Sequence, residues 1–420
     1  MTNNHAANRF IKPGKYIFTS VLLCTIFTIA VPSSGARKRT KGAAKMTSSL
    51  YPVQFADHRN SSFCDITAPA KGDKVWFLPT ADTVHRNMPR LILLHRDGVL
   101  VEYPSWIEFI RPDGNRLWRN EIEPGFHPVV SSKGILFRDS PSGLRAVNEK
   151  NETVLHDFFV PNSSQRGRFD LVVPVGEHFF IQTFNLAEEP VEEEEEEDDT
   201  YSIMLMGSHS YDDWKYLHEK SGNPLPALVT SDGSQAVIVV ESAVGIHDIA
   251  TGKMNAAFSI PDILFLHASL DRDNNLVALV QDNKAKKEIR SYTLAPEKDK
   301  QPLWSFSVSG TTSPPFCQPP ATDNDNRVYM IQNNHFYAID KGKKLWSAAI
   351  TQASYFQYFT ILGDNTILCA SANILLCLKE GEKPRIVFAL PSGEDITTPP
   401  VVDDRQQIYF GTPAGIYCIK

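Results

Sequence analysis

The sequence predicts an all-β protein, an eight-bladed β-propeller, and three observations lead to this fold class. After residue 50, short runs rich in Val, Ile, Leu, Phe and Tyr alternate with turn residues, without helical periodicity. One strand–turn–strand unit recurs roughly every 40 residues, the period of a propeller blade. The last unit ends one strand short, which a strand near the start of the chain can supply. A ring of seven blades is the alternative.

The repeat is clearest near the C-terminus. The middle position of the unit's second strand falls at Ala338, Cys377 and Cys418, at intervals of 39 and 41 residues. Weaker copies place the same position at Val101, Ala146, Met204, His247 and Tyr292. Eight copies result, and four strands per copy are typical of propeller blades because a single four-stranded sheet cannot bury both of its faces.

The end of the chain predicts how the ring closes. Lys420 ends the third strand of the last blade, so this blade lacks its outer strand. We expect the segment from Tyr51 to Phe55 to provide that strand. Pairing of the N- and C-terminal strands would then tie the ends together and remove a free edge.

The N-terminal 36 residues differ from the rest of the chain. Arg9, Lys12 and Lys15 precede an apolar run at residues 16–31, and small residues follow at 33–36. This order is typical of a secretory signal. An uncleaved membrane anchor and a lipid attachment at Cys24 are the alternatives. We therefore expect an exported protein that is periplasmic, membrane-anchored or secreted.

A basic linker at residues 37–50 leads into the propeller, residues 51–420. Within the propeller, an acidic insertion at residues 188–199 contains six consecutive glutamates, Glu192 to Glu197. Like charges in such a run repel one another and favour a solvated loop. The net charge of −7 gives no overall basic field, so a nucleic-acid partner is not expected.

The cysteines and acidic turns do not predict a metal site. The six cysteines form no CxxC pair. Cys369 and Cys377 can face each other across a hairpin, or can be small buried thiols of the core. Segments 271–274 and 323–326 resemble calcium loops but lack the glycine and distant glutamate of an EF-hand. They occupy the repeated turn, where Asp and Asn bind local backbone groups.

One repeat resembles a known family. The stretch from Tyr337 through Gly342 to Trp346 is similar to the tryptophan-bearing repeat of the PQQ-like, or quinoprotein-like, β-propellers. Segment 247–253 resembles the same turn, with Ala256 at the tryptophan position. In that family the tryptophan docks one blade on the next. The resemblance therefore implies structural, blade-docking roles for Trp118, Trp304 and Trp346.

Two branches of this family imply different functions. The quinoprotein dehydrogenases hold PQQ and Ca²⁺ on the axis, and many carry adjacent cysteines that this sequence lacks. The non-catalytic BamB-like branch binds protein partners in the cell envelope. We expect a scaffold of the second kind, a monomeric propeller that is not an enzyme and uses no cofactor. A PQQ- or metal-dependent oxidoreductase is the alternative, and a carbohydrate-binding propeller is the third option.

An aromatic stretch is the candidate partner surface. Residues 354–360 carry more rings than one buried face needs, and by position they form the first strand of the seventh blade. Tyr355, Phe356 and Tyr358 are either core residues of this inner strand or anchors for a protein partner, since aromatic anchors are enriched in interfaces.

Overall fold

Strands and tight turns make up the described part of the chain, which contains no helix. The computed structural model describes residues 63–64, 66–67, 72–80, 88–122, 127–131, 134–140, 143–159, 167–175, 178–185, 200–206, 215–221, 225–295, 300–308, 316–317, 320–332, 334–350 and 356–420. Within these ranges no helix has the length and apolar character that crossing a bilayer requires. The predicted signal segment, the basic linker and the acidic insertion lie outside the described residues.

The described strands form eight sheets, which we number along the chain, and the first to fourth strands of a sheet are antiparallel neighbours. Sheet 1 contains Leu91–His95, Gly98–Glu102, Trp106–Ile110 and Arg116–Glu121. Sheet 2 contains Val129–Ser131, Gly134–Ser140, Gly143–Val147 and Thr153–Phe159. Sheet 3 contains Gly167–Val175, His178–Asn185, Thr200–Met206 and Lys215–Ser221. Sheet 4 contains Leu228–Val229, Gln235–Val240, Ala243–Asp248 and Met254–Ser259.

The remaining sheets repeat the plan with two variations. Sheet 5 contains Ile263–Leu270, Leu276–Asp282, Lys287–Tyr292 and Trp304–Val308. Sheet 6 contains Ala321–Thr322, Val328–Gln332, His335–Asp340 and Lys343–Ala349. Sheet 7 contains Phe356–Leu362, Ile367–Ser371, Ile374–Leu378 and Arg385–Ala389, and two short strands are added to it, Phe63–Cys64 and Phe316–Cys317. Sheet 8 contains Val401–Val402, Ile408–Thr412, Gly415–Ile419 and, as its fourth strand, Lys74–Pro79.

The burial pattern explains why these residues form strands of this kind. Gly98–Glu102 and Trp106–Ile110, the middle strands of sheet 1, are buried at every position. The fourth strand of sheet 6, Lys343–Ala349, alternates between exposed and half-buried residues. A strand buried on both faces reads as a continuous apolar run, and an outer strand reads as an alternation. The core therefore lies around the inner strands of each sheet.

Each core cluster is shared between neighbouring sheets. Separate clusters join sheets 1 and 2, sheets 4 and 5, sheets 5 and 6, and sheets 6 and 7. The largest cluster joins sheets 7, 8 and 1, from Leu375 through Phe410 to Tyr103. Sheet packing thus continues from the last sheet to the first, because each sheet covers an apolar face of the next.

The fourth strand of sheet 8 corrects one expectation. Lys74–Pro79 pairs antiparallel with Gly415–Ile419, so the strand beside the C-terminal one comes from the N-terminal part of the chain, as predicted. The prediction that Tyr51 to Phe55 supply this strand is wrong, since its place is taken. Trp76 and Leu78 pack against the core from this strand.

The repeat also needs one shift in sheet 1. The second strand of the predicted repeat unit corresponds to the third strand of a sheet. In sheet 1 the third strand is Trp106–Ile110, so Val101 lies one strand earlier than predicted, on the second strand. The first turn of sheet 1 has only two residues, Arg96 and Asp97, whereas the same turn in sheet 6 has five. Because this turn is shorter and the segments around the fourth strands vary in length, the repeat period is less regular at the start of the predicted propeller.

The cysteines whose side chains the structure describes belong to the core. Cys369 packs in the cluster between sheets 6 and 7, while Cys377 packs against the cluster of sheets 7, 8 and 1. The two side chains therefore lie on opposite faces of sheet 7 and do not form a disulfide with each other. Burial raises the pKa of the Cys418 thiol to about 12, so this buried thiol is protonated at neutral pH.

A repeated aspartate organises the turn between the first and second strands. The carboxylate of Asp323 accepts the backbone N–H groups of Asp325 at 2.8 Å and Arg327 at 2.9 Å, and the Tyr329 hydroxyl at 2.8 Å. Asp403 accepts the corresponding three groups in sheet 8, including the Tyr409 hydroxyl at 3.0 Å. These aspartates close their own turns, which is the local role that turn chemistry predicts.

Asparagines in the same turns connect one sheet to the next. Asn274 and Asn326 adopt a φ of 62°, which Asn tolerates better than most residues. The Asn326 Oδ1 atom accepts the backbone N–H of Arg272 in sheet 5 at 2.9 Å. The Asn274 Oδ1 atom accepts that of Ser231 in sheet 4 at 2.8 Å. The turns of sheets 4, 5 and 6 are thereby linked in series.

We expect the substitution Asp323→Ala to lower the free energy of unfolding by about 2–3 kcal/mol, because it leaves the buried Tyr329 hydroxyl and two turn N–H groups without their charged acceptor. The matched control is Asp325→Ala, whose exposed carboxylate lies 3.8 Å from Arg327 and should contribute at most about 1 kcal/mol. Urea unfolding at pH 7 measures both changes. Equal effects of the two substitutions would contradict the proposed role of the turn aspartate.

Candidate interaction site

Trp118 lies at the seam between sheets 1 and 2. Its ring stacks on Phe109 with centroids 5.5 Å apart, and its indole N–H donates to the backbone oxygen of Glu149 in sheet 2 at 2.9 Å. It packs against the apolar cluster that both sheets share. These are the contacts expected of a residue that docks one sheet on the next.

The other two predicted tryptophans occupy corresponding seams. Trp304 packs in the cluster between sheets 5 and 6, beside Gly342 of sheet 6. Gly342 has a φ of +78°, and an added Cβ would lie 2.7 Å from the Ser305 carbonyl, so the close approach of the two sheets requires glycine. Trp346 packs between sheets 6 and 7, with its ring 5.4 Å from that of Phe336.

A fourth tryptophan, Trp76, does the same at the seam between sheets 8 and 1. Its indole N–H donates to the Pro112 backbone oxygen of sheet 1 at 2.8 Å. The guanidinium of Arg116, which also contacts the buried Glu108 at 3.2 Å, donates to the Pro79 oxygen at 2.7 Å. The N-terminal strand is thus fixed to sheet 1 as well as to sheet 8.

The sequence around Trp76 resembles the repeat around Trp346, although the sequence analysis did not identify Trp76 as a docking residue. Trp76 pairs with Cys418 just after a one-residue bulge, and Trp346 pairs with Ala338 in the same way. The tripeptide Lys74-Val75-Trp76 is similar to Lys344-Leu345-Trp346. Gly72 also stands four residues before Trp76, as Gly342 stands before Trp346. The third strand that precedes the glycine in sheet 6 is here Gly415–Ile419, at the other end of the sequence, so the Trp76 copy lacks the strand that makes the repeat recognisable.

We expect Trp76→Phe to lower the free energy of unfolding by about 1 kcal/mol through the lost hydrogen bond, and Trp76→Ala by about 3–5 kcal/mol through the lost packing. Thermal and urea unfolding measure these losses. Val75→Ala is the control, since the Val75 side chain is 47% exposed beside the bulge. A Trp76→Ala protein as stable as the control would contradict a docking role for this residue.

The aromatic stretch forms the first strand of sheet 7, Phe356–Leu362. The ring of Phe359 is buried and contacts Phe336 of sheet 6 edge-to-face at 5.3 Å. Tyr358 is half-buried against the cluster on the other face of the sheet. Tyr355 and the side chain of Phe356 lie outside what the structure describes. The described part of this strand therefore packs into the core, and the partner surface at Tyr355, Phe356 and Tyr358 stays a prediction.

Two distant segments are added to the edge of this same strand. Phe63–Cys64 pairs parallel to Ile361 and Leu362, and Phe316–Cys317 pairs parallel to Phe356 and Gln357. The opposite edge of the strand pairs antiparallel with Ile367–Ser371. The edge of sheet 7 at its first strand is thus occupied by the chain itself.

An apolar hollow of about 390 Å³ lies on one face of sheet 4. The small residues Ala243, Gly245 and Ala257 are part of its wall. His247 is buried in its wall, and the Met254 side chain at its border is 55% exposed. The described residues of its lining are Ile238, Val240, Ala243, Val244, Gly245, His247, Met254, Ala257, Phe258 and Ser259. A mostly apolar concavity of this volume is typical of binding sites.

Acidic and histidine side chains do not form a metal centre in the described ranges, where no group of three or more potential ligands comes together. The carboxylates that suggested calcium loops, Asp271 and Asp323, accept hydrogen bonds from their own turns. Burial raises the pKa of both carboxyls. The described residues therefore present hydrogen-bonded turns and apolar surface.

The fold is that of a β-propeller, as comparison with solved structures shows. BamB of Moraxella catarrhalis superposes with a TM-score of 0.54 at 11% identity, covering 83% of this chain and 99% of that one. A puromycin-hydrolyzing peptidase of Mycobacterium tuberculosis superposes with a TM-score of 0.51 at 11% identity, covering 82% of this chain and 61% of that one. These identities establish a shared fold and no shared activity.

Sequence comparison adds no family. No family model matches the chain, and no curated protein matches it. One of the two structural neighbours is BamB and the other is a peptidase, so the shared fold does not indicate one function. Function must therefore be argued from the surfaces of this chain.

Proposed function

We propose that this chain is a non-catalytic, eight-bladed β-propeller that binds protein partners as a scaffold in the cell envelope or extracytoplasmic space. The observation that carries the proposal is the apolar hollow of about 390 Å³ on one face of sheet 4, whose described lining is mostly aliphatic. In the proposal the eight sheets are the blades of one ring. Lys74–Pro79 closes the ring beside Gly415–Ile419.

The pattern of contacts supports a ring of eight blades. The first strands of sheets 1 and 2 contact one another, and those of sheets 2 and 3 do as well. Sheets 4 to 8 are joined by shared apolar clusters, and sheet 8 packs on sheet 1. A sheet with two apolar faces needs a neighbour on each side, which a ring provides for every sheet.

The proposed envelope location rests on three supports. The basic and apolar residues at 1–36 have the order of a secretory signal, and the PQQ-like repeat resemblance includes the BamB-like branch. BamB of Moraxella catarrhalis is also similar in fold over nearly its whole length. An exported propeller of this branch would present its surfaces to proteins of the envelope.

The chemistry of the described residues supports a non-catalytic role without PQQ or Ca²⁺. The carboxylates of Asp271, Asp323 and Asp403 are used within their own turns. The edge of the first strand in sheet 7, which would face the axis of the proposed ring, carries Phe63–Cys64 and Phe316–Cys317. An axial cofactor would have to share this space with the chain itself.

The hollow fits an apolar protein side chain better than a polar ligand. Its lining is mostly aliphatic, with His247 and Ser259 as the polar members. Burying one large aliphatic or aromatic side chain there would contribute about 1.5–3 kcal/mol. Interfaces commonly depend on one such anchor in a pocket, with polar contacts around it.

Capture from an envelope extract tests the scaffold function. We expect the wild-type protein to recover a defined protein partner, and the double variant Met254→Glu, Ala257→Glu to lose at least about 90% of it, since charge at the hollow opposes apolar burial. The matched control, Leu345→Glu with Ile386→Glu, alters two exposed aliphatic residues on the fourth strands of sheets 6 and 7 and should recover it fully. Circular dichroism checks that all three are folded.

Two outcomes of this capture experiment would contradict the proposal. In one, no protein exceeds the background of an unrelated bait. In the other, the hollow variant recovers the same partner as the wild-type protein, which would remove the hollow from the binding surface.

A cofactor titration tests the non-catalytic role. We expect no quinone absorbance to remain with the protein after it is mixed with PQQ and Ca²⁺ and separated by gel filtration, because the acidic turn groups already serve as local acceptors. A known PQQ enzyme treated in parallel is the positive control. Stoichiometric uptake of PQQ would favour an oxidoreductase instead.

A further inference from the structure

The segment from Phe63 to Thr67 lies along the first strand of sheet 7 without being part of the four-strand plan. Phe63 and Cys64 pair parallel with Ile361 and Leu362. Past the end of that strand, the Gly363 backbone N–H donates to the Ile66 carbonyl oxygen at 2.9 Å. We call residues 63–67 the edge segment.

Two side-chain contacts of the edge segment are described, one at Thr67 and one at Ile66. The Gln406 side-chain amide donates to the Thr67 hydroxyl at 2.8 Å. Ile66 is half-buried and packs against the cluster of sheets 7, 8 and 1. Thr67 is exposed. The described contacts of this segment are thus a two-residue strand pairing, two hydrogen bonds and one apolar contact.

The next segment along the chain is held far more firmly. Lys74–Pro79 pairs with Gly415–Ile419 over its full length, and Trp76 docks it on sheet 1. Backbone hydrogen bonds between Asp73 and Lys420, at 2.7 and 2.8 Å, fix its start. The edge segment can therefore leave its strand while the closing strand stays in place, because local opening follows the local number of contacts.

The same strand edge accepts a second segment of the same composition. Phe316–Cys317 adds to it in the same parallel direction, beside Phe356 and Gln357. Both additions are Phe-Cys dipeptides, although about 250 residues separate them in the sequence. This edge therefore accepts extended backbone from two distant parts of the chain.

We propose that this edge of Phe356–Leu362 is a strand-addition site, which the edge segment occupies in cis and an extended segment of a protein partner takes by displacing it. Backbone hydrogen bonds supply affinity in this binding mode, and side-chain positions along the strand supply selectivity. The inference rests on the proposed scaffold function and names one way in which a partner is bound. The edge segment then acts as an intramolecular competitor, which lowers the apparent affinity for the partner.

A peptide-binding experiment on the full chain tests this site. The probe is a fluorescent peptide of residues 61–69 carrying Cys64→Ser, which removes disulfide exchange. The variant Ile66→Asp weakens the edge segment in cis, and Ile386→Asp is the matched control at a side chain that is 58% exposed on the fourth strand of sheet 7. Fluorescence anisotropy gives the dissociation constants, and thermal unfolding confirms that each protein is folded.

We expect Ile66→Asp to bind the peptide at least about tenfold more tightly than the wild-type protein and the control, since its competing segment is released more often. Hydrogen exchange gives a second readout. The Gly363 amide should exchange faster in Ile66→Asp and regain protection when the peptide is added, because its acceptor is the carbonyl oxygen of residue 66.

Two results would overturn the inference. In one, the folded Ile66→Asp protein binds the peptide no more tightly than the wild-type protein. In the other, the added peptide leaves the Gly363 amide unprotected. The probe is the chain's own sequence, so neither of these results depends on an envelope partner. Failure here with successful capture through the hollow would leave the scaffold function standing, and the reverse would leave the strand site standing.

Discussion

The structure depends on one constraint: a four-stranded sheet with two apolar faces is stable only when a neighbour covers each face. Every core cluster described here is shared between sheets, and none belongs to one sheet alone. The last sheet has only three strands from its own part of the chain. Lys74–Pro79 completes it and, through Trp76 and Arg116, attaches it to sheet 1.

The same constraint separates structural residues from those left for binding. Tryptophans fill the seams at the outer strands, and aspartates such as Asp323 and Asp403 close the turns at the inner ones. In the proposed function, partners bind at the hollow of sheet 4 and at the strand edge beside Phe63–Cys64.

Much of the fold could be predicted from the sequence, because the repeat of apolar runs and Asp turns reports the sheets directly. Closure by an N-terminal strand followed from the missing fourth strand at Lys420, but the strand itself was misplaced, since pairing across the whole chain leaves no local signal. The hollow could not be predicted, because the sequence does not show which side chains surround a small residue such as Gly245 in the folded protein. The two-residue pairing of Phe63–Cys64 is too short to produce a periodic pattern.

Hydrogen exchange at the closing strand tests the central claim most directly. The amides of Asp73, Thr80 and Lys420 donate backbone hydrogen bonds at the two ends of the pairing between Lys74–Pro79 and Gly415–Ile419. If this strand completes the core, these amides open with the same free energy as the amides of Ile408–Thr412 in the middle of the sheet. Exchange at the rate of a fraying terminus, with the Ile408–Thr412 amides still protected, would contradict the account.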